Sequence, residues 1–139
     1  MLAMPFDLWD RVPPVLAAFL PNVQWSRERL HALSLPIVDV PIDELRWQLS
    51  LPWWRGPGGP FELTPDEVRR SPDRYAAQWT RTLAADLRYP IHLLQRDRLI
   101  VLDGVHRLLK ADLSGATSIA ACILGEEVFA AHVVVCEGG

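Results

Sequence analysis

The sequence predicts a small mixed α/β domain of the α+β class, preceded by an N-terminal helical extension. Length and composition carry the first half of that expectation. The chain has 139 residues, half of them hydrophobic and 22% charged, which suits one core of ordinary size and is too apolar for a disordered chain. Patterning carries the second half. From residue 90 onward short apolar runs alternate with one amphipathic helical stretch, whereas residues 5–33 hold only helical signals interrupted by prolines. We therefore divide the chain into an extension over 1–35 and a domain over 36–139.

Within the extension, Pro13 and Pro14 suit the first turn of a helix covering VLAAFL, and Pro21 ends it. Ser26 is placed to cap RERLHAL, with Trp25 before it as a hydrophobic staple. Ile37, Val38 and Val40, framed by Pro36 and Pro41, predict a short strand near a sheet edge. Residues 46–54 fit helix and strand equally, and the breaker-dense RGPGGP (55–60) predicts a loop. Thr64, Pro65 and Glu67 supply N-cap, N1 and N3 of a capping box. Ser71, Pro72 and Asp73 repeat the start signal for a helix over 72–87, with Tyr75, Trp79 and Leu83 on one face. Beyond Pro90 the order is strand (PIHLLQ), turn (RDR), strand (LIVL), helix (DGVHRLLKADLSG, with Gly115 at C′) and strand (TSIAACIL). EEVFAAHVVV reads as a final helix-to-strand segment.

The densest chemistry lies at 101–115. A buried strand runs into Asp103-Gly104 and a helix begins at once. At 100° per residue Val105, Leu108, Leu109 and Leu113 face the core, and Asp103, His106, Arg107 and Lys110 share the other side. Lys110 is the only lysine beside 13 arginines. Free N–H groups and the positive dipole end favour anions at such a position, Gly104 permits close approach, and Arg107 can grip two oxygens. The bland alternative is an N-cap aspartate with a solvated polar face. Asp112 falls in the middle of the apolar side, which implies a frayed helix end.

These residues carry a resemblance. The run LIVLDGVHRLLKADLSGATSIAACIL, over about 90–124, resembles the ParB/sulfiredoxin-like superfamily, and VDVPIDEL, over 37–46, resembles that domain's first strand. Nothing before residue 35 contributes. The resemblance implies a turn and helix N-terminus that hold nucleotide phosphates. Val105 stands where sulfiredoxins place their catalytic cysteine, so sulfinic-acid repair is not implied. Val105 and His106 replace the Glu and first Arg of the partition proteins' G-E-R-R motif, which argues against a CTP-driven DNA clamp. Asp103, Gly104, His106 and Arg107 match best the D-G-H-H-R turn of the free-serine-kinase branch. The general base of those kinases aligns with Leu49 here, leaving Glu44 or Asp43 as substitutes.

The resemblance thus implies phosphoryl transfer from ATP or another nucleotide to a small molecule, with Asp103, His106 and Glu44 as catalytic residues. Gly104, His106, Arg107 and Lys110 would hold phosphates, and Asp103 would help hold Mg²⁺. The competing expectation is a non-catalytic module that binds a nucleotide or another metabolite. Trp53, Trp54 and Arg55 suit either a lid over the ligand or, more simply, an anchor of the loop to the core. His31, His92 and His132 have no partners at metal-ligand spacing and read as structural. Arg69, Arg70, Arg74 and Arg81 are interspersed with Asp66, Glu67 and Asp73, as on a mixed solvated surface. A net charge of −3 argues against nucleic acid as partner. Two cysteines without a CxxC, and an N-terminus carrying Asp7 and Asp10 and no early Lys or Arg, point to a cytoplasmic protein. Neither a membrane nor an obligatory second subunit is implied, although a homo-oligomer is compatible with the sequence. No Walker A, G-x-S-x-G or H-E-x-x-H pattern occurs.

Overall fold

A computed structural model describes residues 2–136. The chain is an α+β domain around a four-stranded mixed sheet. Its strands are β1 (Val38–Pro41), β4 (Ile91–Gln95), β5 (Leu99–Asp103) and β6 (Ser118–Gly125), in the order β1-β6-β4-β5. β4 and β6 run parallel, and the other two pairings are antiparallel. β1 lies at the edge, as its flanking prolines require, since proline offers no ladder N–H. Helices cover both faces. On the first lie α3 (Pro65–Arg70), α4 (Ala76–Ala84) and α5 (Val105–Leu113). On the second lie α2 (Arg27–His31) and a C-terminal helix that begins as α6 (Glu126–Val128) and widens to a π-helical turn over Phe129–Val133.

The strands alternate accordingly. Ile91, Leu93, Val101, Ile119 and Ala121 face Leu108 and Leu109 of α5. Leu94, Leu102 and Leu124 face Leu30, Phe129 and Val133. Both sets are buried, because a sheet covered on both sides must be largely apolar on both. The N-terminal extension therefore supplies the cover of the second face. It is fixed there by the Ser26 cap, whose Oγ accepts from Arg29 N at 3.2 Å, and by Ser26 N donating to Val133 O at 3.0 Å. A separate apolar group joins α1 (Pro14–Ala17) through Leu16 to Leu51.

Three local expectations change. Residues 55–60 are not an irregular loop but most of a hairpin, β2 (Trp54–Gly56) and β3 (Gly59–Leu63). Its glycines permit the tight turn, and Gly59 takes φ +140°. The helix expected over 72–87 is the shorter α4, and its buried residues are Gln78 and Thr82, while Leu83 stands exposed. Tyr75 and Trp79 pack against the core as expected, and Gln78 and Thr82, rather than Leu83, complete that face. Lastly, α5 does not fray at Asp112. The helix continues to Leu113, and Asp112 accepts from Arg46 Nε at 3.0 Å and Arg69 Nη2 at 2.5 Å. Burial alone would raise the Asp112 carboxyl, but these two guanidiniums hold it below its ordinary value. An aspartate at the centre of the buried side is thus the tie between α5, α3 and the 3₁₀ turn Arg46–Ser50. Gly115 ends α5 at φ +77°, with Ala116 N on Ala111 O and Gly115 N on Asp112 O, the two bonds of a Schellman motif.

The other sheet edge, β5, is closed by one side chain. Gln48, fully buried in the segment 46–50, donates from Nε2 to Leu99 O at 2.9 Å and accepts from Val101 N at 2.9 Å. Its amide thereby stands in for a neighbouring strand. Gln48→Leu keeps the volume but strips both backbone groups of their partner. It is expected to destabilise the fold by about 2–4 kcal/mol, since each orphaned buried group costs about 1–3 kcal/mol; urea unfolding followed by tryptophan fluorescence measures this.

Candidate functional site

A cavity of about 1070 Å³ opens beside the start of α5, between the second face of the sheet, the α4–β4 connection and the segment after α2. Its floor is a single cross-strand row. His92 of β4 pairs with Asp103 of β5 on one side and with Cys122 of β6 on the other. The β4–β5 ladder slips between His92 and Leu93, so that Leu102 is passed over and Asp103 comes opposite His92. Such a bulge re-aims the residue that follows it. His31, the last residue of α2, reaches the row from above, with its Nε2 2.7 Å from Asp103 Oδ2.

Gly104 makes the corner possible. It has φ +118°, and a Cβ there would lie 2.4 Å from Ile91 Cγ2 and 2.8 Å from Ile91 Cβ. Having no side chain, it leaves the first N–H groups of α5 without a side-chain cap. Gly104, His106, Arg107 and Arg81 all border the cavity.

The residues singled out in the sequence fall into different roles. Asp103 is the hub: Arg27 Nε lies 3.3 Å from Oδ1, and Oδ2 takes both His31 Nε2 and Arg107 Nη2, the latter at 3.2 Å. Burial raises its carboxyl, but His31, Arg27 and Arg107 together bring it below the ordinary value. Arg107 also donates from Nη1 to Pro90 O at 2.7 Å and Tyr89 O at 3.2 Å, so it braces the chain entering β4. Lys110 is not among the lining residues; its Nζ donates to Leu83 O at 2.8 Å and Ala85 O at 2.6 Å, where it satisfies the end of α4. Glu44 is exposed in the 3₁₀ turn Ile42–Glu44 and does not line the cavity. His106 stacks on Trp54, with ring centroids 4.2 Å apart and planes 12° apart, and shares a 2.8 Å hydrogen bond with Gln78 Oε1. Burial, followed by the charge of Arg81, lowers its pKa to about 4, so the ring is neutral at pH 7.

Trp54, 6% exposed, thus belongs to the core, and Trp53 Nε1 is tied to Gln48 O at 2.7 Å. Neither indole borders the cavity, and the anchoring role holds. Of the four arginines grouped in the sequence, Arg69 joins Asp112 and Arg81 faces the cavity, so they form no common patch.

What sequence spacing missed is the meeting of His31 and His92. Their ring centroids are 5.2 Å apart, and each offers a nitrogen within 4.8 Å of the other's and of an Asp103 oxygen. Burial, then the nearby His31, holds His92 below the usual imidazole range. Burial also raises the Cys122 thiol, whose Sγ lies 4.0 Å from Leu35 O, which leaves it a poor nucleophile. The donor set does not suit Mg²⁺, which prefers oxygen ligands, because two of the three donors are imidazoles. Comparison with family models, curated proteins and solved structures gives no match for this chain.

Two outcomes follow from this geometry. Gly104→Ala combines a disallowed φ with a clash against Ile91, and should cost about 2–4 kcal/mol in thermal or urea unfolding. For His106 the folded pKa lies below the ordinary 6.5, so between those values the unfolded chain binds a proton that the folded chain does not. Its contribution is complete above the ordinary value and declines as pH falls toward about 4. Urea midpoints at about pH 7 and about pH 5 should therefore diverge more in the wild type than in His106→Gln.

Proposed function

We propose that this protein binds a phosphate-bearing small molecule of nucleotide size in the cavity at the start of α5. The observation that carries this reading is the wall formed by the uncapped α5 N-terminus together with Arg81 and Arg107. Backbone N–H groups at a helix start are anion donors, and a cation beside them adds a charge-assisted bond. Among the described residues Arg81 makes no ion pair or side-chain hydrogen bond, in contrast to Arg107 and Lys110, so it is the guanidinium ready for a ligand. The volume suits a nucleotide or a comparable metabolite, since small-molecule pockets commonly span roughly 300–1,000 Å³. The likeness of the Asp103–Arg107 turn to ParB/sulfiredoxin-like nucleotide sites supports the same ligand class. Two unpaired cysteines agree with a cytoplasmic place of action. No helix of the described residues is long and apolar enough to cross a membrane.

Binding without turnover is favoured over phosphoryl transfer. Glu44 stands away from the cavity, and Asp103 has both oxygens occupied by protein partners. Calorimetric titration with ATP, ADP and CTP is expected to give saturable binding to the wild type. Arg81→Ala should weaken it about tenfold or more, the loss of one charge-assisted contact. Absence of heat and of thermal stabilisation with all three at millimolar concentration would overturn the proposal. A panel of amino-acid and sugar acceptors is expected to yield no phosphorylated product.

A further inference from the structure

The floor of the cavity holds a group that phosphate binding does not use. His31, His92 and Asp103 come from α2 and from the adjacent strands β4 and β5, and one ligand atom from each lies within 4.8 Å of the others. Two imidazoles and a carboxylate form a nitrogen-rich donor set of the kind that holds borderline transition ions. We propose that these three side chains bind a divalent cation of the Zn²⁺ class, with its remaining coordination position facing the cavity.

His92 supplies an independent observation. It is 9% exposed, its Nδ1 is buried with no hydrogen-bond partner, and one of its ring nitrogens belongs to the three-atom group. A plain hydrogen bond between His31 and Asp103 accounts for those two residues but leaves a buried polar ring beside them unexplained. Buried polar groups are ordinarily paired, and His92 lines the cavity with a buried ring nitrogen that has no protein partner. A tetrahedral ion with bonds of about 2.0–2.2 Å holds its ligands about 3.4 Å apart. Here His31 Nε2 and Asp103 Oδ2 stand closer than that, at 2.7 Å, with all three ligand atoms within 4.8 Å, and the side chain free to adjust is His31, which is 49% exposed. Binding exchanges the His31–Asp103 hydrogen bond for two metal bonds. Arg27 and Arg107 remain on the carboxylate as outer partners, orienting it while drawing off part of its charge. An open site of three protein ligands flanked by two guanidiniums is expected to bind more weakly than a closed structural zinc site.

The test uses Zn²⁺ alone with the full chain and no nucleotide, so its result is independent of phosphate binding. Equilibrium dialysis is expected to show one Zn²⁺ per chain. His31→Ala, a half-exposed position, and Asp103→Asn should each reduce the affinity about tenfold or more. Circular dichroism identifies any variant that loses its fold, and His31→Ala decides the matter if Asp103→Asn does. Co²⁺ should give the intense visible absorption of a low-coordinate nitrogen and oxygen site in the wild type and lose it in His31→Ala. Sub-stoichiometric binding by the wild type, or equal Zn²⁺ affinity in the wild type and His31→Ala, would overturn the assignment.

Discussion

The turn from β5 into α5 sets the spacing of everything around it. A chain that leaves a buried strand and starts a helix within one residue must bring that helix almost onto the neighbouring strand. Here the contact is Gly104 against Ile91, closer than any side chain would allow. This closeness seats Leu108 and Leu109 in the first face of the sheet while Asp103 still turns to the second. The carboxylate then gathers Arg27 and His31 from α2 and Arg107 from α5. Partly shielded as it is, such a cluster gains more from its charges than an exposed pair would. One residue without a side chain and one with an anion thus fix the N-terminal extension, the sheet and the helix to a common point.

The polar side of α5 shows why charge on a helix is a poor guide to availability. His106, Arg107 and Lys110 share a face, as the helical period requires, yet each is committed to another element. His106 lies against Trp54 and Gln78, Arg107 braces residues 89–90, and Lys110 holds the end of α4. All three join α5 to other elements, and Arg107 and Lys110 do so through backbone carbonyls that would otherwise lack a partner. The arginine that remains open to the cavity, Arg81, comes from a different helix altogether.

Much of the architecture was legible because it depends on local rules. The strands at 91–95, 99–103 and 118–125 follow from β-branched and aliphatic runs, and the caps at Ser26, Thr64 and Gly115 follow from short-range hydrogen bonding. The segments left open or misjudged involve either breaker residues or buried polar residues whose partners are far away in sequence. Gln48, Gln78 and Asp112 are buried because Leu99, Arg55 and Arg69 meet them, which no hydropathy period can show. Glycine and proline in 55–60 mark a hairpin with a tight turn as readily as an irregular loop. For the candidate site, the sequence pointed to the Asp103–Arg107 turn but not to its companions. His31 and His92 appear isolated along the chain, and only the pairing of β4 with β5 and the docking of α2 bring them to Asp103.

The glutamine that closes β5 has a consequence for how copies of this chain meet. An uncovered sheet edge is a template on which a second chain can add its own strand, the first step toward fibrillar growth. At one edge of this sheet the carbonyl of Leu99 and the amide of Val101 are already taken by Gln48. At the other, Pro41 within β1 presents a ring where a ladder needs an N–H group. Both margins are therefore poorer templates for strand addition, one through a side-chain amide and the other through a proline.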